Sequence, residues 1–137
     1  MNIDIINIIT EKLSKYPDIK FNVKDNFSLE IDSKDEMGFP IFIENGATEN
    51  TIYLKAFHSH FGKTDDENEA LLDLLYFALK GIARIKEFSK KGKIYKSILE
   101  LQNENGEWED FGATILFNAN FFIKPRVKYF QNSFSLP

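Results

Sequence analysis

The chain contains no cysteine, which excludes thiolate metal sites, cysteine nucleophiles and disulfide staples together. It has two histidines, so any imidazole chemistry must come from one pair of positions. No run approaches the roughly 18 consecutive apolar residues needed to span a bilayer. The Ile-rich start is interrupted by Asn2 and Asn7. Asp4 stands where a signal peptide would be basic, so no targeting segment is expected there. A soluble, cytoplasmic protein without membrane attachment is the expectation. No internal repeat, low-complexity tract or linker divides residues 1–137, which are read as a single domain.

What the chain does have is bulky apolar volume. Aromatic residues make up 15% of it, including 14 Phe. A globular chain of 137 residues buries roughly two-thirds of the surface its unfolded form exposes. A core without covalent or metal staples is therefore affordable. The net charge of −4 conceals an asymmetry. Residues 1–69 carry 14 acids against 7 bases, and residues 70–137 carry 7 acids against 10 bases. The bases gather at Arg84, Lys86, Lys90, Lys91, Lys93 and Lys96, and again at Lys124, Arg126 and Lys128. Such clusters either form a solvated face or steer a charged partner.

The apolar positions Ile5, Ile6, Ile9, Leu13 and Tyr16 predict an amphipathic helix over residues 2–16. Asn2 can cap it, and Pro17 disfavours helical geometry at Tyr16. The period then changes to two. Strands are expected at 21–24, 27–32, 39–44 and 51–58, with turns at Asp25-Asn26 and Asn45-Gly46. Thr64 and Glu67 have capping-box spacing, and the stripe Leu71, Leu74, Leu75, Ala78 and Leu79 runs up to Gly81. This predicts a central apolar helix over 64–80. Further strands are expected at 82–88, 94–101, 107–110, 111–117 and 126–131, with Asn105-Gly106 as a tight turn. Hairpin-length links favour antiparallel pairing. The fold class is α+β: a twisted, mostly antiparallel sheet of about six to eight strands carrying both helices.

Several constellations bear on function. His58 and His60 lie two apart on an expected strand, on one face and roughly 6.5–7 Å apart along the chain. They can share a metal if Asp65, Asp66 or Glu67 supplies a third ligand. No metal is favoured, because the pair can instead end an inward-facing row with Ile52, Leu54 and Ala56. Gly62-Lys63-Thr64 before a helix has the tail of a P-loop, but Phe57 occupies the required glycine position. The acids at 65–67 and 69 would also repel phosphate, so nucleotide binding is not expected. Trp108, between Glu107 and Glu109, either anchors a partner or folds back over the sheet. Aromatics and bases mix over 120–126, as in single-strand binders. The acidic pI of about 5.2 and the absence of a nucleic-acid signature argue against that use.

Residues 57–132 resemble a family of small uncharacterised bacterial proteins. The likeness rests on Phe57-His58-Ser59-His60-Phe61, Glu69-Ala70-Leu71, Gly106-Glu107-Trp108 and Val127-Lys128-Tyr129-Phe130-Gln131-Asn132. Phe57 stands where many members carry Trp. The resemblance implies a shared fold and no established activity.

Three functions compete. The first is a protein-binding or regulatory module without catalysis, of the kind that neutralises a toxin or docks a regulatory partner. The second is a metal-dependent enzyme using His58, His60 and Asp65. The third is a binder of a small apolar ligand in a Phe-lined concavity. The candidate binding residues are His58, His60, Trp108, Arg84 and Arg126. A protein partner or a homodimer is expected, with no nucleic acid and no cofactor.

Overall fold

Asp4 opens the first helix, α1 (Ile5–Leu13), by accepting the Ile6 N–H on Oδ1 at 3.0 Å. The computed structural model describes residues 4–25, 27–117 and 122–136, so the expected cap at Asn2 lies outside the described residues. Ile5, Ile6, Ile9 and Leu13 form the buried face. The helix stops short of the expected Tyr16. Thr10 and Ser14 donate their hydroxyls to the carbonyls four residues back, and Lys15 and Tyr16 bond only three residues back. The last turn tightens and ends ahead of Pro17.

Five strands follow as an antiparallel meander: β1 (Phe21–Val23), β2 (Ser28–Ile31), β3 (Ile41–Asn45), β4 (Asn50–Leu54) and β5 (Phe57–Phe61). Leu29, Ile31, Ile41, Ile43, Ile52 and Leu54 are fully buried on one face, over which α1 rests at β3. The expected single strand over 51–58 is instead a hairpin. Lys55-Ala56 reverses the chain, with Lys55 at φ 58°, so that Leu54 pairs with Phe57 and Tyr53 with His58. A left-handed lysine carries none of the Gly or Asn chemistry that marks such a turn. The apolar set Ile52, Leu54 and Ala56 also runs on through the turn at strand spacing.

Helix α2 (Asp65–Lys80) agrees closely with its sequence signals. Thr64 Oγ1 accepts the Glu67 N–H at 3.2 Å, and Gly81 ends the helix at φ 93°. Only glycine fits there on a second count, because a Cβ would lie 2.6 Å from the Asn132 carbonyl oxygen. A polar knot fixes the helix entrance. Lys63 donates to Asn50 Oδ1 at 3.0 Å and to Asn45, while Asn50 donates to the buried Asn68 at 3.2 Å. Lys63, the residue in the P-loop-like triplet, thus serves as a tie between the β3–β4 turn and α2.

A second antiparallel sheet contains β6 (Ala83–Lys90), β7 (Lys93–Gln102), β8 (Trp108–Ile115) and β9 (Arg126–Phe130), in the order β8-β7-β6-β9. Lys91 and Gly92, both at positive φ, make the two-residue turn between β6 and β7. Asn103 Oδ1 accepts from the N–H groups of Asn105 and Glu107 to shape the next turn. The two strands expected at 107–110 and 111–117 are one. Phe111 is an extra residue at a bulge, since Glu100 pairs with Asp110 and Leu99 with Gly112.

The α+β class, the antiparallel pairing and both helices follow the sequence expectation. The strands divide into two sheets of five and four instead of one sheet of six to eight. Local hairpin spacing says which strands neighbour one another. It is silent about the break that α2 introduces between β5 and β6. Both sheets and both helices contribute to one apolar cluster, with α2 against β5 and β6.

Besides the His58 N–H, which donates from β5 to Thr114 Oγ1 on β8 at 3.2 Å, two further devices join the sheets. Lys55 reaches from the β4–β5 turn to pair with Glu87 on β6, and its ammonium sits 4.5 Å from the centre of the Phe130 ring. After β9, residues 131–134 run as a strap. Gln131 donates its N–H to Met37 O at 2.7 Å and its side-chain amide to Gly81 O at 2.7 Å. Asn132 takes the Phe39 N–H on Oδ1 at 3.1 Å and returns Nδ2 to the Phe39 carbonyl at 3.0 Å. Phe134 N–H donates to Leu79 O at 3.0 Å.

Candidate functional site

Folding of the β4–β5 hairpin decides where the histidines point. His58 and His60 share a face of β5 with their β4 partners Tyr53 and Thr51, opposite to the buried Ile52, Leu54 and Phe57. They stand on the outer side of the first sheet, so the expectation of an inward row with Ile52 and Leu54 is corrected. The imidazole centres are 5.4 Å apart, and Tyr53 lies 5.7 Å from His58. His60 Nδ1 is 2.9 Å from Thr51 Oγ1 and 3.2 Å from Glu49 Oε1. Asp65 is exposed at the start of α2. Among the described residues, no three His, Asp or Glu side chains gather to hold a metal ion. The pair is held by an edge-on ring contact and by Tyr53, Thr51 and Glu49.

The second sheet brings two of the other candidates together. Along β6, Ala83, Ile85 and Glu87 are buried beneath the sheet, so the alternating Arg84, Lys86 and Phe88 point outward. Register then places Lys96, Ile98 and Glu100 of β7 beside them, with Val127 and Tyr129 of β9 on the other flank. The Arg84 guanidinium lies 4.0 Å from the centre of the Trp108 ring and 4.3 Å from that of Tyr129. It also donates from Nε to Glu100 Oε1 at 2.7 Å. One cation thus spans all four strands, from β8 through β7 and β6 to β9.

The same chemistry continues toward the β6–β7 turn. Lys86 lies 5.3 Å from the Phe88 ring centre and 5.8 Å from that of Tyr129, and Lys96 lies 5.4 Å from Phe88. Lys90 is 5.2 Å from Tyr95, and Lys93 is 4.4 Å from Phe117. Phe88, Tyr95 and Phe117 form a chain of ring contacts at 6.2 and 6.4 Å. Ile98 is buried yet stands apart from the main core, because this layer of rings and lysine stems is what covers it. Lys86, Lys93 and Lys96 have no ion-pair partner among the described residues.

Arg126 does not join this group. It pairs with Ser89, in the alternate set that includes Glu87 and Ile85, and is exposed on the reverse side of β9. Tyr129, Phe88 and Lys96, which complete the face, carry a sequence signal only in hindsight. Bases and aromatics alternate over 84–88 and 126–130, but the strand register that superposes the two segments is not written in either.

The chain matches no protein-family model, no curated protein and no solved structure. Among the described residues no helix is long and apolar enough to cross a membrane.

Proposed function

We propose that this chain is a small cytoplasmic protein-binding module without catalysis, and that it docks through the outer face of β8-β7-β6-β9. The observation that carries the reading is Arg84, clamped between Trp108 and Tyr129 amid Lys86, Lys93 and Lys96, which have no acidic partner among the described residues. Arg, Trp and Tyr are the residues that dominate binding energy at protein interfaces. Here the clamp fixes all three before any partner arrives, which lowers the ordering cost of association. The charge calls for an acidic partner surface, and such complementarity speeds and orients encounter. Its role is that of a regulator or neutraliser of the protein it covers.

A single-stranded nucleic acid fits this face less well. Base stacking needs open aromatic faces. Trp108, Tyr129, Phe88, Tyr95 and Phe117 each already have a cation over the ring. The whole chain is also net negative.

The triple variant Lys86→Glu/Lys93→Glu/Lys96→Glu tests the proposal. A partner isolated with the native protein and then purified is expected to bind the variant roughly tenfold more weakly or worse at low ionic strength. Its affinity for the native protein is expected to fall steeply with added salt. Unchanged affinity in a variant with a native circular dichroism spectrum would sink the proposal, as would a nucleic acid in place of the protein.

A further inference from the structure

Helix α2 leans on β5 and β6 and leaves the inner side of β7 and β8 incompletely covered. The result is a cleft of about 480 Å³ between α2, the β5 strand and the inner face of the second sheet. Four rings line it: Phe57, Phe61, Phe77 and Phe111. Its volume lies within the range of small-molecule sites. Phe57 packs over Gly112, where a Cβ would be in ordinary van der Waals contact with two ring carbons at 3.4 Å.

The polar lining is sparse and of one sign. Among the described residues Asp73 of α2 is the one formally charged residue lining the cleft, with His58 and Ser59 on the β5 side, and Lys12 and Lys15 line the separate groove on its other flank. Its carboxylate makes no ion pair or hydrogen bond with the described residues, and neither does the hydroxyl of Ser59 on the β5 side. A ring of aromatic side chains with one unpaired carboxylate suits a ligand that is flat and apolar over most of its body and cationic at one end. A neutral hydrocarbon would leave Asp73 unused. An aromatic acid would meet a like charge.

We infer that the cleft between α2, β5 and β7–β8 is a binding site for a small aromatic monoamine, its ring among the phenylalanines and its ammonium on Asp73. The site shares no residue with the cationic outer face, so it stands or falls separately from the docking function.

Tryptamine is a suitable probe, titrated into the full chain and followed by amide NMR. The expected result is saturable shifts centred on Ala70, Gly112 and Ala113. Asp73→Asn, an exposed isosteric change that leaves the fold intact, should weaken binding about tenfold, the loss of one charge-assisted hydrogen bond. Indole-3-acetate, with a similar ring and the opposite charge, should be weaker by at least as much. The inference is overturned if these amides stay unmoved up to about 10 mM tryptamine, a concentration at which even a millimolar site is mostly filled. Equal binding by the Asp73→Asn variant, equal binding of the acid, or shifts confined to Lys86, Phe88 and Lys96 would overturn it too.

Discussion

Replacing Asn132 by alanine will cost the fold about 3 kcal/mol, read as a lower urea midpoint at unchanged slope. Asn132 is 1% exposed and occupies the position of a strand neighbour for Phe39, accepting its N–H and donating to its carbonyl. Alanine removes both partners and leaves two main-chain groups of a buried residue without hydrogen bonds. Each such group costs roughly 1–3 kcal/mol. Gly38 packs so closely on this amide that a Cβ there would sit 2.2 Å from Asn132 Oδ1, so the clasp is tightly enclosed. Asn132→Asp should be no better than alanine at neutral pH. The new carboxylate can still accept from Phe39 N–H, but it sets a second oxygen against the Phe39 carbonyl. A loss smaller than about 1 kcal/mol in the alanine variant, within the range of an ordinary exposed site, would show that the clasp is dispensable.

Lys55→Met is expected to destabilise by about 3 kcal/mol, and adding Glu87→Leu to recover most of that loss. Glu87 is 7% exposed, and the Lys55 ammonium is its counter-charge. Breaking a buried pair from one side strands the remaining charge, at roughly 3–5 kcal/mol. Lys55 is partly exposed, which places the effect toward the lower end. Replacing both partners by apolar groups removes the stranded charge and is commonly near neutral. Methionine matches lysine in length and leaves the strain of a left-handed residue at φ 58° unchanged, so the comparison isolates the pair. The check is a double-mutant cycle by urea denaturation. Additive losses, with no recovery in the double variant, would mean that Lys55 acts through packing on Phe130 alone.

The sequence is most legible where structure is local. The Thr64–Glu67 cap, the leucine stripe and Gly81 lie within one helix and its ends, and they set α2 to the residue. Turn chemistry at Asn45-Gly46 and Asn105-Gly106 is likewise carried by adjacent residues. Legibility fails where a feature depends on distant segments meeting. The Lys55-Ala56 reversal has no turn residue to announce it, and an unbroken strand in its place would put the two histidines on the opposite side of their sheet. Trp108 and Arg84 are each visible as candidates, but the clamp needs Tyr129, supplied by a strand 45 residues along from Arg84 and paired in one particular register. Arg126 looks equivalent to Arg84 in composition and is separated from it by strand parity alone. Asn132 closes a motif in the sequence, yet its task concerns a backbone 93 residues away.

That last separation has a kinetic meaning for a chain made from its N-terminus onward. The 37–39 segment and the end of α2 can be synthesised, and their local elements formed, well before their shared clasp exists. Until residues 131–134 emerge from the ribosome, Phe39 must keep its main-chain groups in water and the two layers can breathe apart. Latching is therefore a late event in biogenesis, and a translational pause a few dozen codons before it would hold the nascent molecule in a half-open form, with its apolar interior still within reach of chaperones.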